Sequence, residues 1–275
     1  MRNAGLDPET PPKTWSEWRR MSEQITRSGN GRYWGGGIPS FPHMGGSLRA
    51  TPFFRQLGTD FGSDERVNLS DPKFQQALQF IRDMNANFPP GLANGMNEEP
   101  LWNAFQLADQ QIIGFVVDGT WNQAVSQDAG LDVGIAPLPL PDQGGQVGNC
   151  LVGTIYIGVP RGVPQEDANL FWKMYSEICL SEEHLQYVIE FNMCPPVQSM
   201  LLRQSRMTDP AMYSGIIGAQ EILSGLIPPL ADFTRNNGQV WEILDQQVLA
   251  RATMTNVPIS QICSEAQARI TPLLR

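Results

Sequence analysis

The chain has 275 residues, of which 41% are hydrophobic and 17% charged, with a formal net charge of −9 and a pI of about 4.7. That is enough apolar material for one large domain or two smaller lobes. No basic run is longer than Arg19-Arg20, so the chain lacks the positive footprint that a nucleic-acid backbone or an anionic membrane surface would need, and no apolar run reaches bilayer-spanning length.

Taken in order, the first element is announced by Pro11-Pro12-Lys13-Thr14-Trp15-Ser16-Glu17. Thr14 is an N-cap and Glu17, three residues on, completes a capping box. Trp15, Trp18, Met21 and Ile25 recur at helical spacing, and Ser28-Gly29-Asn30-Gly31 predicts the stop. From Tyr33 to Gly58 the glycines, prolines and aromatics of "YWGGGIPSFPHMGG" read as loop around short extended pieces, unable to hold a long helix. Asp71-Pro72 then opens a second helix whose Phe74, Ala77, Leu78, Ile81 and Met84 share a face, ended by Phe88-Pro89-Pro90.

A shorter helix is predicted over 100–108, followed by a strand from Ile112 to Val117 that stops at Asp118-Gly119. The segment Val133 to Pro141, broken by prolines, suits an edge or crossing strand, with a turn at 142–146. Thr154 to Val159 reads as the next strand. Helices follow at 166–179, with Ala168, Phe171, Trp172 and Tyr175 on the buried side, and at 181–191. Beyond Pro195-Pro196 the chain reads as helical over 209–224, 236–253 and 258–273. Many helices and few strands predict an α/β class dominated by helices.

Chemical motifs are sparse. Cys150, Cys179, Cys194 and Cys263 form no C-x-x-C pair and read as small buried hydrophobes; a Cys179–Cys194 bridge stays open. His43 and His184 are the two histidines, too isolated to ligate a metal. Glu98 and Glu99, like Asp60 and Asp64, read as solvated loop charges rather than a catalytic dyad. No nucleotide or hydrolase fingerprint is present, so no catalysis, cofactor or metal is expected. The residues after Met1 carry no apolar secretory core.

What remains is aromatic. Trp15, Trp18, Trp102 and Trp172 fall at helical positions with apolar neighbours and read as core. Trp34 and Trp121 lie in a glycine-rich loop and just past a strand end, where α/β sheets collect ligands. A ring there can stack on a sugar's C–H face while Asp118 or Asn122 bonds its hydroxyls, although Asp118 fits equally as the turn residue of Asp-Gly.

The pieces "AGLDPETPPKTWSEW" (4–18), "VNLSDPKFQQALQFIRDM" (67–84), "GFVVDGTW" (114–121), "VGIAPLPLP" with "LVGTIYIGVPRG" (133–162) and the 168–184 helices resemble, in order, the extracellular solute-binding proteins of ABC importers, in their maltose-binding-like, sugar-binding branch. The resemblance implies a type II periplasmic-binding-protein fold with a ligand gripped between two lobes and passed to permease subunits, in a periplasmic or extracellular setting. It implies ligand contacts from Trp121, the loop holding Asn149 and Gly153, the loop of Trp34 and Phe41, and more loosely Trp241. It also implies that the first part of lobe one is missing. The remainder would be lobe two at 1–146, a returning segment of lobe one at 147–195 and helical lobe two at 196–275. The returning segment would then expose apolar helix faces. A sugar or oligosaccharide receptor is the expected function, and a truncated fragment acting only through interactions the alternative.

Overall fold

The capping box expected at Thr14 forms with one change of partner. In the computed structural model, which describes residues 1–63, 66–106, 112–145, 157–224, 233 and 235–275, Thr14 Oγ1 accepts from the Glu17 N–H at 3.2 Å. The Glu17 carboxylate accepts from the N–H of Lys13, one residue before the cap, at 2.8 Å. Helix α1, Trp15–Gly29, follows and ends on Asn30 in the left-handed region, as the sequence predicts.

The chain divides into two compact units, one formed by Met1–Asp118, Ala129–Leu151 and Pro228–Arg275, the other by Gly119–Asp128 and Val152–Ile227. This division differs from the 1–146, 147–195 and 196–275 boundaries read from the sequence: residues 119–128 leave the first segment and the second unit extends beyond Pro195.

In the first unit a two-stranded parallel ladder joins β1 (Trp34–Gly37) to the strand Ile113–Val116. The glycines of β1 answer to packing. A Cβ at Gly35 would lie 2.0 Å from the Ser22 carbonyl of α1, and one at Gly36, whose φ is 75°, 2.0 Å from the Phe115 carbonyl. Three layers therefore approach at backbone distance where a side chain would separate them.

Helix α2 (Met44–Gln56) occupies much of the segment expected to be loop. The expectation weighed the glycines and Pro52 against helix formation and gave no weight to tertiary burial. Ala50, Phe53 and Phe54 are wholly buried, each large apolar side chain contributing roughly 1.5–3 kcal/mol, enough to override local propensity. A short antiparallel pair, β2 (Gly62–Ser63) with β3 (Arg66–Val67), precedes α3 (Pro72–Asn85), which Asp71 caps by accepting the Lys73 N–H. Helix α4 (Glu99–Gln106) leads to β4, the strand Ile113–Val116.

Trp15 stacks on Phe80 of α3 with ring centroids 4.2 Å apart, and its Nε1–H donates to Gln56 at 2.8 Å. The predicted strand at 133–141 is absent; the segment makes one parallel bridge, Leu140 to Thr14.

The C-terminal part returns to this core. Asn237–Ile243, a π-helical stretch Leu244–Ala250 and Arg251–Met254 form one continuous helical run, followed by Ile259–Ile270. Val240, Trp241, Leu244, Val248 and Ile262 join the same cluster as Trp15 and Phe54. Arg82 of α3 donates to the carbonyls of Ala252 at 2.5 Å and Val257 at 2.6 Å, satisfying acceptors that the end of a helix leaves over.

The second unit is helical where described: α5 (Asn122–Asp128), α6 (Gln165–Cys179), α7 (Glu182–Glu190), α8 (Gln198–Gln204) and α9 (Tyr213–Leu223). Its centre is small, with Leu185, Ile189 and Met200. Helix α6 has no buried residue. At about 100° per residue its apolar positions span an arc of about 200°, twice the stripe a surface helix needs. Phe171 and Tyr175 are half-buried, whereas Leu170 is 66% and Ile178 59% exposed, with Met174 and Trp172 also exposed. Trp172 is therefore not the core residue its helical spacing suggested, because the unit's own core lies on α7 and α8.

Residues 154–156 of the predicted strand at 154–159 lie outside the described residues. Among the described residues no helix is long and apolar enough to cross a membrane.

Candidate functional site

Because β1 and β4 run parallel, the segments leaving their carboxyl ends emerge on one side. From β1 comes the loop to His43 and α2; from β4 comes Asp118. Ligands of α/β folds gather on that side. Arg49 of α2 occupies it. Its Nη2 and Nε lie 2.7 and 3.1 Å from one oxygen of Asp118, and its Nη1 donates to the Gly45 carbonyl at 2.7 Å. Nη2 also lies 3.2 Å from Glu98 Oε2. The guanidinium sits over the rings of Trp102, at 4.8 Å, and Phe41, at 5.7 Å, a cation–π arrangement of the kind arginine favours.

Glu98 closes the group. Its Oε2 accepts the Trp102 Nε1–H at 3.1 Å, and its Oε1 lies 3.7 Å from His43 Nδ1. That nitrogen accepts the Gly45 N–H at 3.1 Å, capping α2. The His43 ring is parallel to Phe41, centroids 5.4 Å apart.

The second unit presents Trp121, 47% exposed. Its ring folds back along the chain onto Gly119, where a Cβ would fall 2.1 Å from Trp121 Cη2. The residues on either side are clamped to the start of α9. The Thr120 carbonyl accepts from Ser214 Oγ at 2.9 Å. Gln123 donates to the Pro210 carbonyl at 2.9 Å and accepts the Ser214 N–H at 2.8 Å. These hydrogen bonds fix the turn that carries the exposed indole, so its backbone needs no ordering on binding, which lowers the cost of binding.

Among the described residues no group of three His, Cys, Asp or Glu side chains is arranged to hold a metal ion. Burial pushes the Cys194 thiol up to about 11 and Cys263 up to about 12, so neither is a poised nucleophile. Cys179 and Cys194 are both free thiols.

The profile of the family described as bacterial extracellular solute-binding protein matches residues 1–174. The chain belongs to that family. None of the curated proteins matches it. Among solved structures, the ABC transporter solute-binding protein of Thermotoga lettingae TMO bound to α-D-tagatose is similar at 20% identity with a TM-score of 0.74, covering 100% of this chain and 68% of that one. MalE3 of T. maritima bound to maltose is 19% identical with a TM-score of 0.74, covering 96% and 66%. An ABC transporter solute-binding protein of Agrobacterium radiobacter K84 in complex with ribitol is 15% identical with a TM-score of 0.71, covering 99% and 66%. The fold is of the periplasmic-binding-protein type, helix-rich α/β, and this chain spans about two thirds of the length of those solved chains.

In this solute-binding chain the residues singled out by sequence part company. Trp121 is on the surface. Asn122 opens α5 and is half-buried, and Trp34 begins β1 half-buried. Phe41 and Trp241 are corrections: Phe41 is wholly buried, and Trp241 is buried against Phe61 and Phe233, so neither ring shows a face to a ligand. Asp118 does not act as a bare surface acceptor; its side chain is 7% exposed and ion-paired to Arg49. Asn149 and Gly153 lie outside the described residues. Sequence reasoning missed Arg49, His43, Glu98 and Trp102 as one group. The Glu98–Trp102 spacing of four was the available signal, since it places both side chains on one face of a helix entry.

Proposed function

We propose that the chain is a non-catalytic receptor for a neutral sugar or polyol, serving an ABC importer at an extracellular or periplasmic location. The single observation that carries this reading is Trp121, an exposed indole lying over Gly119 on a turn held through Thr120 and Gln123. A flat apolar face suits the C–H side of a pyranose or polyol chain, and neighbouring polar groups such as Asn122 suit its hydroxyls. The ligands bound in the structural relatives, tagatose, maltose and ribitol, belong to this chemical class. Binding by stacking and hydrogen bonds needs no acid–base pair, which agrees with family members being binding proteins. The test is titration of the purified chain with maltose, tagatose and ribitol while following tryptophan emission. A saturable change supports the proposal, and a flat response to every member opposes it.

A second reading, an interaction module that binds no solute, is favoured by one observation, the exposed Leu170, Met174 and Ile178 row on α6. Concentration-dependent association in sedimentation, together with the flat titration, would select it.

A further inference from the structure

Glu98 is a carboxylate used on one side. Its Oε2 takes both the Trp102 Nε1–H and the Arg49 guanidinium, while among the described residues its Oε1 accepts no hydrogen bond, His43 Nδ1 standing off at 3.7 Å. The side chain is 27% exposed. His43 has the complementary property. Because Nδ1 accepts the Gly45 N–H, the neutral ring carries its proton on Nε2, a donor, and the side chain is 32% exposed. Gly45 sits where the two converge: a Cβ there would lie 2.0 Å from Glu98 Oε1 and 2.8 Å from His43 Cε1. The absence of a side chain at 45 lets the Glu98 carboxylate and the edge of the His43 ring close up against the backbone there, side by side. Met44, next to His43, and Met96, two residues before Glu98, are exposed apolar side chains.

We propose that His43 and Glu98, brought together over Gly45, form a hydrogen-bonding subsite for hydroxyl groups of a neutral sugar or polyol. Glu98 Oε1 accepts from a ligand O–H and His43 Nε2–H donates to a ligand oxygen. A hydroxyl is both donor and acceptor, so an acceptor and a donor side by side match one hydroxyl or a vicinal pair. Arg49 is a positioning residue: it neutralises Glu98 from behind, and Trp102 fixes the carboxylate plane. A ligand anion is disfavoured, because it would meet two carboxylates already sharing one guanidinium. This inference rests on the receptor reading above and adds a specificity determinant to it.

The test uses the whole chain, calorimetric titration and the member of the maltose, tagatose and ribitol panel that binds best, with its singly deoxygenated analogues. His43→Asn keeps an acceptor for the Gly45 N–H, since Asn is a good N-cap, and removes the Nε2 donor. Glu98→Gln keeps a carbonyl for the Trp102 Nε1–H and removes the charge. Each variant is expected to weaken the parent ligand about tenfold or more, the scale of a lost hydrogen bond to a charged or buried partner. For one deoxygenated analogue, variant and wild type are expected to bind equally, a convergence that a purely structural role would not give. Wild-type affinity in both variants, with Trp121→Ala still weakened, overturns the subsite and leaves the receptor reading standing. Wild-type chain that binds no member of the panel overturns both.

Discussion

Arg49 grips Asp118 with two nitrogens on one carboxylate oxygen, at 2.7 and 3.1 Å, and the residue so held ends the first segment of one compact unit, with Gly119 opening the other. The pair is buried, Arg49 being 11% exposed. Removing one member leaves the other charge desolvated. Arg49→Ala is expected to destabilise the first unit by about 3–5 kcal/mol. Arg49→Lys should recover only part of this, because one ammonium cannot reach Asp118, Glu98 and the Gly45 carbonyl while lying over two rings. Urea denaturation followed by far-UV circular dichroism measures both; equal stability of Arg49→Ala and wild type would remove the structural role assigned to the pair.

Gly119 is expected to act on Trp121 rather than on folding. The atoms a new Cβ would strike are the far end of the indole, Cη2 at 2.1 Å and Cζ3 at 2.2 Å, and a surface ring can swing away at little cost. Gly119→Ala should therefore leave the thermal midpoint unchanged, shift tryptophan emission and weaken ligand about tenfold, near 1.4 kcal/mol. A lowered midpoint with unchanged affinity would contradict this.

Asp245, in the π-helical stretch, accepts from Ser47 Oγ at 2.6 Å, yet burial lifts its pKa to about 6. A carboxyl raised on folding binds its proton more tightly in the native state. Its contribution is fully present below the ordinary carboxylate pKa of about 4 and is lost as pH rises through about 6. Asp245→Asn, which keeps an acceptor for Ser47, is expected to raise stability at pH 8 by an amount on the order of 2 kcal/mol and to do little at pH 4. Denaturation midpoints at the two pH values check the sign.

The exposed row of α6 should govern association. Replacing Leu170, Met174 and Ile178 together by Gln removes apolar surface that the chain itself leaves in water. It is expected to cost little stability and to reduce self-association and binding of an apolar dye. Sedimentation velocity over a tenfold concentration range reads this out; unchanged association would show that this face is not responsible.

Much of the architecture was legible locally. The Thr14–Glu17 box and the Asp71-Pro72 start are carried by short-range hydrogen bonds, so α1 falls within about a residue of its expected limits and α3 starts at Pro72 as expected, although it ends at Asn85, before Phe88. Helix α2 was not legible, because what holds it is Phe53 and Phe54 meeting α3 and the C-terminal run, residues far away in sequence. The site divided the same way. A tryptophan after a strand end is visible as a pattern, and Trp121 is indeed exposed. The burial of Phe41 and Trp241, and the conversion of Asp118, Glu98 and Trp102 into partners of Arg49, depend on which elements meet in three dimensions. Sequence spacing carries no record of that beyond the Glu98–Trp102 step.

The most direct test of the receptor reading is the ratio of calorimetric dissociation constants for Trp121→Ala and wild type, measured with the best-binding member of the maltose, tagatose and ribitol panel. Loss of the stacking face is expected to raise Kd about tenfold or more with the thermal midpoint intact, as befits an exposed side chain. A ratio near one would mean that the indole at 121 does not touch the ligand, and the carbohydrate-receptor account would be wrong in its central part.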